Sequence, residues 1–411
     1  MYIYKVAVIG AGAMGAGIAQ VITYAGIPVI LKDVKEDVVE RGLKTVRGIY
    51  QSRVDKGKMT ATEMEQKMAL VTGATDYAGF SDVDLVIEAV FEDISVKQKL
   101  FCELESVCSE NTLLTSNTSS LPISAIAALT KRPEKVIGLH FFNPAPAMKL
   151  VEIIPGIATS RETIDDLVMF AESIRKIPIR VTECAGFLVN RLLMPYLNEA
   201  AMALQEGASA KEVDEAMVAF GMPMGPFSLL DAIGVDISAK VSEILYDAYG
   251  PRMKPAEILG ALYKAGRAGI KSGAGFYEYG EGSGDAVQSI IEKMGKASCV
   301  LSDSSLPFKG RLGGDGLVAR LVLPMINEAV IVLQEGVASA NDIDIAMMAG
   351  TGFPQDKGGP LHYADQIGVD TVLSKLQQLT NEHGERFWPA PMLKRMVNAN
   401  YLGKKTGKGF F

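Results

Sequence analysis

The sequence predicts an N-terminal α/β domain with a doubly wound sheet, followed by an all-α C-terminal domain that is present in two copies. Up to about residue 181, short apolar runs alternate with stretches of helical spacing, which is typical of parallel strands and connecting helices. Beyond residue 184 the pattern is helical, and a set of motifs occurs twice. We predict a sheet domain at residues 1–183, helical copies at 184–280 and 311–411, and a Gly- and Ser-rich linker at 281–310.

The composition and the charge of the chain argue against several classes of protein. The 411 residues are 48% hydrophobic and 22% charged, and the net charge of −7 argues against a nucleic-acid-binding protein. None of the four cysteines forms a C-x-x-C pair, so we expect no metal site and a reducing compartment. The N-terminus has the pattern of a strand rather than of a signal peptide, and no window approaches the length of uninterrupted apolar residues that a membrane span needs. We expect a cytoplasmic protein that binds neither nucleic acid nor a membrane.

A glycine-rich motif follows the first apolar run. Gly10, Gly12 and Gly15 have the spacing G-x-G-x-x-G and lead into a helical pattern, and the next apolar run ends at Asp33. Strand, glycine loop, helix, strand and acidic residue in this order predict a dinucleotide site. Gly10 permits the tight turn, Gly12 lets the backbone approach a pyrophosphate, and Gly15 lets the helix pack closely on the strand. Asp33 favours NAD over NADP, because a carboxylate repels a 2′-phosphate.

Polar residues follow several later strands of the predicted sheet. Glu92 and Lys97 come after the apolar run at 84–90, Ser119 follows the next run, and His140 follows the one after it. Open α/β sheets bind ligands at the carboxyl ends of their strands, so we expect Glu92, Ser119 and His140 on the same edge as the glycine loop. From spacing alone, Glu92 and Lys97 are equally compatible with solvated charges at the start of a helix.

His140 is the strongest candidate for a proton-transfer group. The chain has three histidines, and His140 is the only one before residue 362. Histidine is the only side-chain type with an unperturbed pKa close to neutrality. Glu152, within an apolar run, is a carboxylate that could hold the imidazole, and the polar run Ser116–Ser120 supplies hydroxyls and amides. A lone histidine is more often a satisfied core residue, but these neighbours favour a proton-relay site.

A long, charged helix is predicted from Glu36 to about Lys58. Most of its lysines and arginines are expected to form a solvated face, as charge runs usually do. A minority interpretation is that Arg53 or Lys56 meets an anionic group on the substrate.

The helical region contains the same unit twice. The segment PYLNEA, beginning at Pro195, is echoed by PMINEA, beginning at Pro324, and the segments LQEG, DAIGVD and KSGAGF recur as LQEG, DQIGVD and KTGKGF. One difference is informative, because Asn190 in the first copy is replaced by Ala319 in the second. If Asn190 belongs to the active site, only the first copy can contribute it. We therefore expect the second copy to be a structural partner.

Taken together, these motifs resemble the 3-hydroxyacyl-CoA dehydrogenase family over about residues 5–280. The duplicated helical domain is similar to that of the dehydrogenase part of multifunctional fatty-acid oxidation enzymes. The resemblance rests on the glycine loop and on the motifs SNTSS (116–120), HFFNP (140–144), MKLVE (148–152), GFLVNR (186–191), MGPF (224–227) and KSGAGFY (271–277).

The resemblance implies a Rossmann-type domain that uses NAD to oxidise an (S)-3-hydroxyacyl-CoA reversibly to the 3-oxoacyl-CoA. It implies that His140 is the general base and that Glu152 orients it and stabilises its protonated form. Ser119 and Asn190 would position the substrate oxygens and the nicotinamide region. The further implied contacts are those of Asp33, Glu92, Lys97, Asn143 and Lys271 with the cofactor, and of Lys56 with the CoA moiety.

Other functions stay open at this point. One is a dehydrogenase of a free hydroxy acid or sugar acid, and another is a non-catalytic relative that binds NAD. A third, related to 6-phosphogluconate dehydrogenase, would use a lysine for the proton, and the pair His140 and Glu152 argues against it. The resemblance also implies dimers of the shorter relatives through the helical domain. We therefore expect the second copy to take the partner's place in a monomeric pseudo-dimer, with a homodimer as the alternative.

Overall fold

The computed structural model describes residues 2–280, 286–298 and 314–411. The chain forms two units, Met1–Phe187 and Leu188–Phe411. The predicted boundary after residue 183 lies a few residues before the division in the structure, and both helical copies belong to the second unit.

An eight-stranded sheet forms the centre of the first unit. The strand order is β3-β2-β1-β4-β5-β6-β7-β8, and all neighbouring strands are parallel except β6 and β7. The order reverses between β1 and β4, which makes their carboxyl ends the topological switch point where such sheets bind ligands. The strands are β1 (Val6–Ile9), β2 (Val29–Lys32), β3 (Val71–Ala74), β4 (Leu85–Glu88), β5 (Leu113–Ser116), β6 (Val136–Phe141), β7 (Leu150–Pro155) and β8 (Ile177–Arg180).

The continuous apolar runs of the sequence account for the central strands. β1, β2, β4 and β5 are buried at every position, as expected for parallel strands covered on both faces. Two strands were not predicted. β3 is a half-buried edge strand with the sequence VTGA, which contains only one large apolar residue. β7 is buried, but Glu152 interrupts its apolar run.

Helices connect the strands of the first unit, and side-chain caps set several of their starts. Thr60 and Glu63 form a reciprocal capping box at the third helix, and the side chains of Asp93 and Ser160 cap the fourth and sixth helices. The helices are α1 (Ala13–Tyr24), α2 (Glu36–Asp55), α3 (Ala61–Met68), α4 (Ile94–Val107), α5 (Ile123–Ala127) and α6 (Arg161–Ser173).

The second unit is helical, and its helices correspond one by one between the two copies. The first copy contains α7 (Val189–Gln205), α8 (Ala210–Phe220), α9 (Pro226–Ile233), α10 (Val235–Tyr249) and α11 (Glu257–Lys264), and α12 (Ala286–Ser298) follows. The second copy contains α13 (Gly314–Gln334), α14 (Ala340–Thr351), α15 (Pro360–Ile367), α16 (Val369–His383) and α17 (Pro391–Asn398). α12 lies within the predicted linker, so that part of it is helical, and the remainder of 281–310 lies outside the described residues.

Reciprocal ion pairs join the two copies. The Nε of Arg191 in α7 donates to Glu328 of α13 at 2.8 Å, and the Nε of Arg320 in α13 donates to Glu199 of α7 at 2.6 Å. All four side chains are at most 4% exposed. Because the two arginines occupy equivalent positions, as do the two glutamates, the contact has the self-complementary form of a two-fold dimer interface. The arrangement supports the predicted pseudo-dimer within one chain.

The asparagine of the repeated motif has a separate task. Asn198 donates to the carbonyl of Lys254 and accepts from the N–H of Ala256, which is the residue before α11. In the second copy, Asn327 makes the same two hydrogen bonds before α17, to Trp388 and Ala390. The repeated Asn-Glu pair therefore fixes the last helix of its own copy and binds the arginine of the other copy.

One helix of the second unit is strongly apolar, although Arg320 and Glu328 interrupt its apolar sequence. Gly316–Gln334, within α13, is long and apolar enough to cross a membrane by length and composition, with a mean hydropathy of 1.8. It is the sole segment of this kind among the residues that the structure describes. The segment is 67% buried within the protein and carries Arg320 and Glu328, both paired with α7. These are the properties of the core helix of the helical unit.

Candidate active site

The predicted histidine–glutamate pair forms across two neighbouring strands. His140 in β6 lies directly opposite Glu152 in β7 in the antiparallel register. The Nδ1 of His140 is 2.7 Å from the Oε2 of Glu152, and the two residues are 4% and 0% exposed. A carboxylate can only accept a hydrogen bond, so Nδ1 carries a proton, and in the neutral imidazole Nε2 is the acceptor. The neutral imidazole is thus oriented to accept a proton at Nε2.

Ser119 lies on the accepting side of this imidazole. Its hydroxyl oxygen is 3.1 Å from His140 Nε2, and its backbone N–H donates to Glu92 at 3.1 Å. Ser119 is exposed, whereas the imidazole behind it is buried. A substrate hydroxyl that reached Nε2 would therefore also lie beside the Ser119 hydroxyl. The imidazole could then exchange a proton with the substrate hydroxyl, while the Ser119 hydroxyl orients it.

Aromatic rings and a backbone contact fix the surroundings of His140. The rings of Phe142 and Phe187 have their centroids 4.6 and 5.8 Å from the imidazole centroid. The side-chain oxygen of Asn117 accepts from the N–H of Phe141 at 2.8 Å, which holds the end of β6. The apolar walls limit the access of water to the pair and thereby strengthen its hydrogen bond.

A buried network that the sequence analysis missed supports the neighbouring strand ends. Glu88, the last residue of β4, is 0% exposed and accepts hydrogen bonds at 2.6 Å from both Lys97 and Ser116. Lys97 also pairs with Glu92 at 3.3 Å. The sequence indicated Glu88 only as an acidic residue at the end of an apolar strand. Its burial and its partners depend on α4 and β5, which spacing cannot place.

The network gives different positions to the two residues predicted to bind the cofactor from this strand end. The Lys97 ammonium is 1% exposed and lies between two carboxylates, so it orients Glu92 from the interior. The Glu92 side chain is 27% exposed and accepts from Thr118 and Ser119. Burial raises the pKa of the Glu92 carboxyl, but the Lys97 charge and these hydrogen bonds outweigh burial and set it below its usual value. Contacts of Glu92 and Lys97 with a cofactor stay predictions.

The glycine loop has the geometry that a bound dinucleotide requires. Gly10 has a φ of +102°, and a Cβ there would lie 2.4 Å from the carbonyl oxygen of Ala89. A Cβ on Gly15 would lie 1.7 Å from the Gly10 carbonyl oxygen, so close packing does require glycine. A Cβ on Gly12 would meet no protein atom within 4 Å, which leaves open space in front of the N-terminus of α1. The Asp33 carboxylate accepts from the N–H of Ala11 at 2.8 Å and so lies against the loop. These residues fit NAD.

The structure also places the remaining residues that were predicted for the site. Asn143 is exposed beyond the end of β6, and Lys56 is exposed at the end of α2. The guanidinium of Arg53 stacks on Tyr24 at 4.5 Å and donates to its hydroxyl, which accounts for this residue without a substrate. Asn190 lies in the first turn of α7, in the other unit.

Lys271 belongs to a repeated ion pair. Its ammonium lies 2.6 Å from Asp236, and Lys405 makes the equivalent pair with Asp370 at 2.7 Å in the second copy. The pair is therefore a structural feature of the repeat, and the cofactor contact of Lys271 stays a prediction. Within the described ranges, no cluster of three or more histidine, cysteine, aspartate or glutamate side chains could hold a metal ion.

Comparison with known proteins agrees with the fold and the site. The family model for the NAD-binding domain of 3-hydroxyacyl-CoA dehydrogenase matches residues 5–184, and the model for the C-terminal domain matches residues 186–279 and 317–411. The chain belongs to the 3-hydroxyacyl-CoA dehydrogenase family. The first unit is the NAD-binding domain of this family, which confirms the predicted family, the Rossmann-type fold and NAD as the cofactor.

Three relatives illustrate the membership in the 3-hydroxyacyl-CoA dehydrogenase family. A crystal structure of 3-hydroxybutyryl-CoA dehydrogenase from Escherichia coli is 32% identical, with a TM-score of 0.85, and the match covers 98% of this chain and 100% of that one. (S)-3-hydroxybutyryl-CoA dehydrogenase from Ralstonia eutropha is 38% identical, with a TM-score of 0.66, over 68% of this chain and 100% of that one. The fatty acid oxidation complex subunit alpha of Shewanella amazonensis is 43% identical over 402 residues, which are 96% of this chain and 55% of that protein. The chain thus spans about half the length of this curated relative.

Proposed function

We propose that this chain catalyses the reversible, NAD-dependent oxidation of an (S)-3-hydroxyacyl-CoA to a 3-oxoacyl-CoA. The observation that carries the proposal is the buried imidazole of His140, with Glu152 at 2.7 Å on Nδ1 and the Ser119 hydroxyl at 3.1 Å from Nε2. Alcohol oxidation requires a proton acceptor beside a hydride acceptor, and this cluster lies in the NAD-binding domain of a dehydrogenase family.

Each residue of the cluster has a defined task in this mechanism. When bound, the nicotinamide supplies the hydride acceptor. His140 Nε2 takes the proton of the 3-hydroxyl group, and the Glu152 carboxylate stabilises the resulting imidazolium through the hydrogen bond to Nδ1. Ser119 donates to the substrate oxygen and keeps it within reach of Nε2. In the reverse direction, the imidazolium returns the proton to the same oxygen.

The remaining assignments complete the proposal. Gly10, Gly12 and Gly15 form the pyrophosphate loop, and Asp33 accepts from the ribose hydroxyls and disfavours a 2′-phosphate. We further propose that Asn190 orients the substrate. Additional cofactor contacts are assigned to Glu92, Lys97, Asn143 and Lys271, and a CoA contact to Lys56.

The substrate class is tested by following NADH oxidation with acetoacetyl-CoA, with free acetoacetate as the second substrate and NADPH as the second cofactor. We expect rapid turnover with the thioester and NADH alone. Comparable turnover of free acetoacetate would instead assign the chain to the oxidation of free hydroxy acids. Tight NADH binding without turnover of either substrate would make it a non-catalytic NAD-binding protein.

The general base is tested by His140→Gln. We expect turnover to fall by about 10²–10⁴-fold, because a glutamine cannot accept the proton, while NADH binding stays near that of the unchanged chain. NADH fluorescence measures the binding independently of turnover. Near-normal turnover in this variant would refute the assignment of His140.

We also propose a cytoplasmic location and a monomeric pseudo-dimer, with a homodimer as the alternative. Among the residues that the structure describes, Cys102, Cys108 and Cys184 form no disulfide, which is consistent with a reducing compartment. The reciprocal pairs between α7 and α13 supply within one chain the self-complementary contact that a dimer would form. Sedimentation equilibrium at low protein concentration tests this, and a mass of two chains would contradict the monomer.

A further inference from the structure

A cavity lies between the two helical copies. Its volume is about 450 Å³, and it lies between α8 of the first copy and α13, α15 and α16 of the second. This volume falls in the range of about 300–1,000 Å³ that is usual for small-molecule sites. All described residues that line the cavity belong to the second unit. None of these lining residues therefore belongs to the His140 cluster.

The repeat relates this cavity to the part of the first copy that carries Asn190. Arg320 follows Ala319 as Arg191 follows Asn190, so Ala319, which lines the cavity, occupies the position of Asn190. In the first copy, we assign the equivalent position, Asn190, to the orientation of the substrate. The second copy lacks the amide that this role requires.

Two further replacements give the cavity a different chemistry. Counting from the shared DxIGVD motif, Tyr363 and Lys375 occupy the positions of Leu229 and Val241. Both residues line the cavity. The second copy has therefore lost one polar group and gained a phenol and an ammonium group at other points of the same surface.

The lining combines an apolar interior with one cation at the solvent side. Val322 and Leu323 are each 2% exposed, and Phe220 adds an aromatic wall. Lys375 is exposed, and it forms no ion pair with any residue that the structure describes. No carboxylate occurs among the described lining residues. Lys357 lies over the Phe220 ring at 4.8 Å but pairs with Asp356, so Lys375 is the available cation.

We propose that this cavity binds a medium-chain fatty-acid anion, with the alkyl chain against α13 and the carboxylate at Lys375. The apolar walls recognise the chain through burial, and the ammonium recognises the charged head group. The site is independent of the proposed dehydrogenase activity, because none of its residues belongs to the His140 cluster. It gives the second copy a binding role in addition to its structural one.

The chain-length dependence of binding tests the apolar part of the site. Calorimetric titration of the full chain with hexanoate, octanoate and decanoate should show affinity rising about fourfold per methylene, until the cavity is filled. Decanol should bind without dependence on Lys375, whereas Lys375→Met should weaken decanoate binding by up to about fivefold. Absence of decanoate binding, or binding of decanoyl-CoA alone, would overturn the proposal.

Matched substitutions in the two copies locate the site. Ala319→Leu fills the cavity and should weaken decanoate binding by about tenfold or more. Asn190→Ala makes the equivalent position of the first copy resemble the second and should leave decanoate binding unchanged. Loss of binding in Asn190→Ala but not in Ala319→Leu would place the ligand elsewhere and overturn the proposal.

A second filling variant guards against a folding defect. Ala219→Leu narrows the cavity from α8, where residue 219 is exposed, and should weaken decanoate binding in the same way. Both filling variants should keep the acetoacetyl-CoA turnover of the unchanged chain, if that turnover is observed. Unchanged decanoate affinity in both variants would refute the site, whatever the outcome for the dehydrogenase activity.

Discussion

The negative charge of Glu152 should stabilise the protonated imidazole of His140 much more than the neutral imidazole. Glu152→Gln preserves the shape of the side chain and a hydrogen-bond acceptor but removes the charge. The two side chains are 0% and 5% exposed, with 2.7 Å between Nδ1 and Oε2. With about 4 Å between charge centres and an effective dielectric constant of about 20, the attraction is about 4 kcal/mol. Its loss corresponds to about a 10³-fold lower rate, and a retained neutral hydrogen bond would limit this to 10²–10³-fold.

The assay is NAD reduction with (S)-3-hydroxybutyryl-CoA, because this is the direction in which His140 becomes protonated. We expect kcat to fall by about 10²–10³-fold, while the affinity for NADH is unchanged. Glu183→Gln is the matched control, since it removes another carboxylate of the first unit, one that accepts from the N–H of Ser124 at 2.7 Å. Near-normal kcat in Glu152→Gln would refute the reasoning.

Three further predictions follow from the structure. Gly12→Ala should lower NADH affinity without lowering Tm, because the new Cβ meets no protein atom within 4 Å. Gly15→Ala should lower Tm, because its Cβ would lie 1.7 Å from a carbonyl oxygen. Equal Tm values in the two variants would contradict this prediction. Arg320→Met should destabilise the chain in urea unfolding by less than the about 3–5 kcal/mol of a fully broken buried pair, because the buried Glu199 loses Arg320 but keeps Arg386 at 2.7 Å; Glu199→Gln in the same variant should recover part of the loss. The pKa of the Glu92 carboxyl is lower in the folded protein than in the unfolded chain. The ionised carboxylate therefore stabilises the fold at a pH above the unfolded pKa, and this stabilisation is lost as the pH falls through the folded pKa. Lys97→Met should move this acid loss of stability to higher pH, and unfolding curves between neutral pH and pH 3 that coincide for the two proteins would count against it.

The duplicated unit shows what sequence comparison can detect and what it leaves undetermined. The repeats PYLNEA and PMINEA revealed two copies, because the same structural task preserves the same residues. The tasks themselves emerged from the packing of α7 on α13, where each glutamate binds an arginine of the opposite copy. The cavity beside Ala319 likewise depends on helices that are far apart in the sequence.

The sequence by itself determined the glycine loop, the run of parallel strands, the helical repeats and the candidate base. These features depend on local spacing and on residue type, which the chain order records directly. It did not reveal Glu88, the edge strand β3 or the ion pair that occupies Lys271. Only the tertiary structure decided that His140 lies opposite Glu152 at hydrogen-bond distance, because that contact depends on the register of two antiparallel strands. Burial and partner choice arise from such long-range packing, and spacing along the chain does not contain them.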